Sequence, residues 1–336
     1  MKVSYFLHVA LALMTLGMVV SPTQAGSVTF GSGSNSFTME FATIGNPGNA
    51  PDTTGAPNPA GSVAYTYEMG KFEVSRDMIT KYNASFGNAN SLVISLADMS
   101  SYGGNGINKP ATGVSWNEAA RFVNWLNTST GNQAAYKFTT SGVNDNIALW
   151  QSGDAGYDAT NPYRNSLAKY VLPSYNEWYK AAYYDPNTSS YFDYPTGSDT
   201  APTPVASGTG ANTAVYNGQP GPADVNQAGG VSPYGVMGLG GNVWEWQETA
   251  FNSVNDSPTS VRAVRGAAWI HSATYLLSSV RGDWGGGLSV GTQFGDLGFR
   301  VVSLASTAAP VPEPSMMVMA TLLGLGGYIG KRRMKK

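Results

Sequence analysis

The sequence predicts one α+β domain with little regular secondary structure, and three observations carry that expectation. Short aromatic runs alternate as half-buried strands do. A few helices declare their starts with capping serines. Beyond residue 186, Gly, Pro, Asn and Tyr dominate with no helical period, so most of the chain must be short strands and ordered loops. Once the two ends are set aside, about 280 residues remain, enough for one large domain with a substantial core. No repeat of solenoid or propeller length is visible.

In chain order, residues 1–25 read as a secretory signal: Lys2 supplies the positive start, "FLHVALALMTLGMVV" the apolar stretch, and "PTQA" a small residue for cleavage after Ala25. A retained N-terminal membrane anchor is the alternative. Residues 26–61 form a lead-in rich in Gly, Ser, Asn and Pro. Within it, "SFTMEFATIG" places Phe37, Met39 and Phe41 on one face, as a strand does. Another aromatic strand, "SVAYTYEMGKFEV", is expected over residues 62–74. Ser75 then precedes "RDMITKYNA", whose Met78, Ile79 and Tyr82 share a helical face. Ser115 with Glu118, and Ser174 with Glu177, complete capping boxes before "WNEAARFVNWLN" and "WYKAAYY". The first of these helices carries an apolar stripe of Trp116, Ala119, Ala120, Val123 and Leu126; Pro186 ends the second. The main domain is expected to run from residue 62 to 306.

Charge excludes one class of partner. Of 19 basic residues, six lie in the terminal segments, against one of 21 acids, which leaves the middle of the chain near −7. No nucleic-acid partner is expected on such a surface. Only 12% of residues are charged, about half the usual share. Buried backbone groups in so many loops still need partners, and Asn and Asp side chains, water or a bound cation are the expected ones.

Residues 307–336 end in "VPEPSMMVMATLLGLGGYIGKRRMKK". A Pro-Glu-Pro turn precedes an apolar run from Ser315 to Gly330, about 16 residues and at the short limit for a spanning helix. Five of the last six residues are basic, which would hold that end on the cytoplasmic side. This tripartite tail resembles the PEP-CTERM sorting signal of bacteria. The resemblance implies transient inner-membrane anchoring, processing by signal peptidase and an exosortase-type protease, and delivery to the cell surface or beyond. An ordinary tail anchor is the alternative.

The blocks "YEMGKFEVSRDMITKYN", "PATGVSWNEAARFVNWLN", "YVLPSYNEWYKAAYY", "GLGGNVWEW", "AVRGAAWIHSATYLLSSVRG" and "LGFRVV" occur in the order found in the formylglycine-generating enzyme, or sulfatase-modifying factor, family. They span roughly residues 62–303. The resemblance implies an elaborated C-type-lectin-like fold, often with bound calcium. Within "GLGGNVWEW" it implies that main-chain carbonyls of Gly241 and Val243 and the carboxylate of Glu245 hold calcium, an ion that prefers oxygen ligands in flexible loops. Trp244 and Trp246 would then enter the core from the opposite face. One departure stands out: the family's Asn or Asp ligand falls at Gly238, which has no side chain. Glu245 paired with an arginine or with backbone N–H groups is the other reading.

Catalytic members oxidise a substrate cysteine through a pair of cysteines that bind copper. The pair corresponds broadly to Gly266–Arg281, and this chain has no cysteine at all. A related branch binds iron through three histidines. Here there are two, and His8 lies in the signal, which leaves His271. No copper or iron is therefore expected, and no catalytic residue is assigned. A hydrolase built from Ser272 or Ser278 with His271 and Asp283 has no support from spacing or from an elbow motif. Arg281 and Arg300 resemble arginines of the family's closing segment and suit buried pairing better than substrate contact. The tyrosines and carboxylates of "YYDPNTSSYFDYPTGSD", Tyr191 and Tyr194 among them, suggest either sugar stacking or an ordered loop. The expected function is that of an exported, noncatalytic binding or structural module whose ligand is a surface polysaccharide or a protein. An enzyme of the same family with an unidentified residue set is the alternative.

Overall fold

Alternation in the N-terminal lead-in builds the first sheet. The computed structural model describes residues 26–282 and 286–304, and within them β1 (Gly26–Phe30) and β2 (Phe37–Ile44) form an antiparallel hairpin. Phe37, Met39 and Phe41 all point into the core. The sequence reading found β2 and missed β1, whose five residues carry too little apolar alternation to register. The expected strand over 62–74 is shorter in the structure: β3 covers only Tyr67–Gly70. These four residues have partners on both sides, β2 on one edge and β12 (Val302–Leu304) on the other. Adding β4 (Tyr170–Val171) completes a five-stranded antiparallel sheet in the order β1-β2-β3-β12-β4. The lead-in thus supplies two of the five strands of the main sheet.

The helices start where their caps predict. α1 (Arg76–Tyr82) is capped by Ser75 Oγ, and a π-helical turn (Asn83–Gly87) and the one-turn α2 (Asn88–Asn90) extend it. α3 (Trp116–Thr128) and α4 (Tyr175–Tyr183) both carry complete capping boxes. In α3, Ser115 Oγ accepts from Glu118 N at 3.1 Å while Glu118 Oε2 accepts from Ser115 N at 2.8 Å. α3 is buried well beyond the expected stripe, because Phe122 and Trp125 also pack, against Phe37 of the hairpin and Tyr82 of α1. α4 stops at Tyr183, and the chain turns into a small hairpin of β5 (Tyr184–Asp185) and β6 (Ser190–Tyr191).

After a short parallel pair, β7 (Thr203–Pro204) and β8 (Thr213–Ala214), the chain reaches the second main sheet. Its centre is β9 (Trp244–Ala250), every residue of which is buried. β10 (Arg262–Arg265) lies antiparallel on one side of β9 and β11 (Leu297–Gly298) parallel on the other. Leu297–Leu304 then crosses from this sheet to the five-stranded one.

Main-chain carbonyls find their donors in Asn side chains, as Asn83, Asn117 and Asn124 show, and also in arginines. Arg265 Nη1 donates to Val280 O, Arg281 Nη1 to Phe251 O, Arg300 Nη1 to Gly70 O and Arg164 Nη2 to Leu172 O. A guanidinium offers five donors in a fixed fork and can serve several loops at once. Among the described residues no helix is long and apolar enough to cross a membrane. The expected signal (1–25) and sorting tail (307–336) lie outside those residues. Phe122→Ala should cost about 3–5 kcal/mol in denaturant unfolding, because it removes the ring that joins the hairpin, α1 and α3. Ser115→Ala should cost nearer 1 kcal/mol.

Candidate functional site

β9 organises everything around the site. Successive side chains leave a strand toward opposite faces. Trp246 therefore drops into the core, where Nε1 donates to Val114 O at 2.9 Å, while Glu245 turns the other way. The two oxygens of Glu245 are both taken. Arg300 Nε donates to Oε2 at 2.6 Å and Nη2 to Oε1 at 2.5 Å, and Trp178 Nε1 adds a bond to Oε2 at 2.7 Å. Both partners of the ion pair are fully buried. The same guanidinium donates to Gly70 O at 2.8 Å and Met237 O at 3.0 Å.

Glu245, the one side chain among the implied calcium ligands, does not fit calcium in this geometry. Glu245 faces a guanidinium, which would repel a divalent ion, and Gly238 supplies no oxygen ligand from a side chain. Gly241, at φ +81°, serves backbone approach: a Cβ there would lie 2.2 Å from Val215 O, and its N–H donates to Gly266 O. Val243 is packed in the core. Among the described residues, no three His, Asp or Glu side chains converge as metal ligands. The sequence reading missed Glu73, which sits 1% exposed beside this loop. Glu73 Oε1 accepts from Asn242 Nδ2 at 2.8 Å, while Oε2 has no hydrogen-bond partner. Burial pushes this carboxyl up to about 7, with Arg300 opposing and Glu245 reinforcing the shift.

His271 borders a small apolar cavity of about 240 Å³, together with Trp244, Ile270, Leu288 and Phe294. Its ring packs edge-on against Trp244 and Tyr275, with centroids 5.2 Å from each, and its Nδ1 accepts from Ala268 N. Ser278 is buried with its main chain engaged by Ala56, Asp193 and Arg265. Asp283 lies outside the described residues. Arg281 caps the end of β9 through Phe251 O and Ala250 O, and burial, with Arg265 adding, lowers its guanidinium to about 10.

The larger opening, about 600 Å³, was not anticipated. It lies over a buried charge network at whose centre stands Arg164. Arg164 grips Glu177 through two bonds of 3.0 Å and Glu248 through Nε at 2.8 Å. Tyr136 Oη and Asn161 Nδ2 complete Glu248, and Tyr65 Oη donates to Glu177 at 2.7 Å. Burial opposes ionisation of Glu177, yet Arg164 and the Ser174 N–H hold it below its ordinary value. Burial and Glu177 together push the Tyr65 hydroxyl far up. At the mouth, Tyr65 and Leu167 are 45% and 50% exposed, beside Thr66, Asp158 and Lys169. The sequence did hold a signal for this network: Glu177 closes a capping box, and Glu248 follows Glu245 by three residues. Nothing in the spacing brought Arg164 to both. By contrast, Tyr191 spends its ring on Tyr179 and Tyr184 and its hydroxyl on the carbonyls of Ala50 and Gly61. Tyr194 is likewise half-buried.

Residues 16–305 match the family described as the sulfatase-modifying factor enzyme 1-like domain. Among solved structures, the fold is similar to Treponema denticola variable protein 1, at 20% identity over 83% of this chain and 99% of that one, with a TM-score of 0.53. It is similar also to CarF, at 18% identity over 80% of this chain and 98% of that one, with a TM-score of 0.56. At these identities the likeness is one of fold: a single α+β domain of the elaborated C-type-lectin-like kind. No curated protein matches the chain.

A carboxylate held below its unfolded pKa stabilises the fold above that value and loses its contribution as pH falls through the folded pKa. Glu177→Gln should therefore lose about 3 kcal/mol at neutral pH, where it strips Arg164 of a buried charge partner. The gap to wild type should narrow below about pH 4, read by urea unfolding across pH.

Proposed function

Because the chain belongs to the sulfatase-modifying factor family, we propose that it is a noncatalytic member of it, exported to the bacterial surface or extracellular matrix and used for binding. The observation that carries this reading is the complete lack of cysteine in all 336 residues. Monovalent copper needs thiolate ligands, and the family's oxidative chemistry has none to use here. The segment Gly266–Arg281 has instead become packing: His271 and Tyr275 close on Trp244, and Arg281 binds loop carbonyls. One histidine outside the signal does not make an iron triad.

Binding belongs at the cleft over Arg164. Its floor is rigid, because every charge there is paired and hydrogen-bonded, and a rigid floor reduces the ordering cost of association. Its mouth offers the partly exposed ring of Tyr65 beside Thr66, Asp158 and Lys169, which suits a polyhydroxylated ligand such as a surface polysaccharide. Export rests on the sequence of the two ends, which signal peptidase and an exosortase-type protease would process.

A cysteine-containing peptide incubated with the purified chain should yield aldehyde only at background, and turnover above it overturns the noncatalytic reading. On a panel of bacterial polysaccharides, Tyr65→Ala and Lys169→Ala should each weaken binding by about tenfold, or about 1.4 kcal/mol. Binding indifferent to both changes would move the ligand elsewhere. Mass spectrometry of exported material should find Gly26 as the first residue.

A further inference from the structure

The mismatch between the implied calcium loop and the residues present points to a substitution in space. Gly238 has φ +77°, and a Cβ built on it would lie 2.5–2.8 Å from the Glu73 carboxylate. A carbon cannot sit that close to a carboxylate it is not bonded to, so a side chain at 238 would have to displace the Glu73 carboxylate from the volume it occupies. Arg300, whose charge also acts on Glu73, gathers one carboxylate and two main-chain carbonyls: Glu245, Gly70 O and Met237 O. Carboxylates and carbonyls are the oxygens a calcium ion would collect. Asn242, at φ +62°, fixes Glu73 within the loop, because its Nδ2 reaches Glu73 while its Oδ1 accepts from Ala223 N at 2.8 Å.

We propose that the Arg300–Glu245 pair and Glu73 together hold the 238–245 loop, so that it folds and holds without a divalent metal, and that residues 73 and 238 are a matched pair of which only one can carry a side chain into the shared space. A guanidinium is part of the covalent chain and cannot be removed by chelation, so loop stability becomes independent of calcium supply. That independence holds whether or not the cleft over Arg164 binds a ligand.

Two measurements on the purified full-length chain test this. In the first, thermal unfolding followed by tryptophan fluorescence should give the same midpoint in chelator and in millimolar calcium, and calorimetry should show no saturable heat with calcium. A ligand that binds only the folded state must raise the midpoint. A saturable calcium isotherm with a raised midpoint would therefore overturn metal independence. The second is a double-mutant cycle. Asn tolerates positive φ, so Gly238→Asn adds bulk with little backbone strain. It should lower the midpoint by several degrees, and adding Glu73→Ala should recover part of that loss although Glu73→Ala alone is destabilising. Strictly additive effects would overturn the shared-volume pairing. Should Gly238→Asn fail to fold, its rescue by Glu73→Ala to a soluble, cooperatively unfolding chain supports the pairing, and no rescue counts against it.

Discussion

The buried pair of Arg300 and Glu245 is the constraint on which the rest of the structure depends. Arg300 lies in the crossing between β11 and β12, the point where the chain passes from the three-stranded sheet to the five-stranded one. Its bonds reach β9 through Glu245, β3 through Gly70 O and the loop before β9 through Met237 O. One side chain thus fixes the relative placement of two sheets that share no strand. Its charge is also obligatory, because Glu245 without it would be a carboxylate buried without a counter-charge.

A second constraint is the supply of hydrogen-bond donors. Long stretches of this chain have no strand or helix to satisfy their carbonyls, and the surface is poor in charge. Much of the cationic complement has gone inside: Arg164, Arg262, Arg265 and Arg300 are all buried. Each meets carbonyls, and aromatic rings cover several of the guanidinium faces, as Tyr163 does for Arg262 at 3.9 Å. Arg is suited to this, being planar, permanently charged and more weakly hydrated than Lys. The low surface charge and the loop-rich architecture are therefore linked.

The carboxylates of β9 show how one strand serves two ends. Glu245 faces the sheet junction and Glu248 faces the network under the cleft, with Trp246 between them in the core. The cleft floor is consequently continuous with β9, the buried centre of the three-stranded sheet. A ligand seated there would meet a preorganised surface, whereas the apolar hollow beside His271 is small and ringed by aromatic packing.

The sequence alone determined what depends on near neighbours. Capping serines and their glutamates announced α3 and α4 because the bonds involved join residues three apart. Alternation announced β2, and the lack of thiols is readable without any coordinates. The family blocks carried the fold class. Tertiary structure decided what depends on distant residues meeting. Arg300 answers Glu245 across 55 positions, and Glu73 fills the space over Gly238 from far earlier in the chain. Arg164 brings Glu177 and Glu248 together beneath an opening that no local pattern foretold. A carboxylate beside a flexible glycine turn reads equally well as a metal ligand or an ion-pair partner. Only the identity of the group that packs against it separates the two, and that group is chosen by the fold.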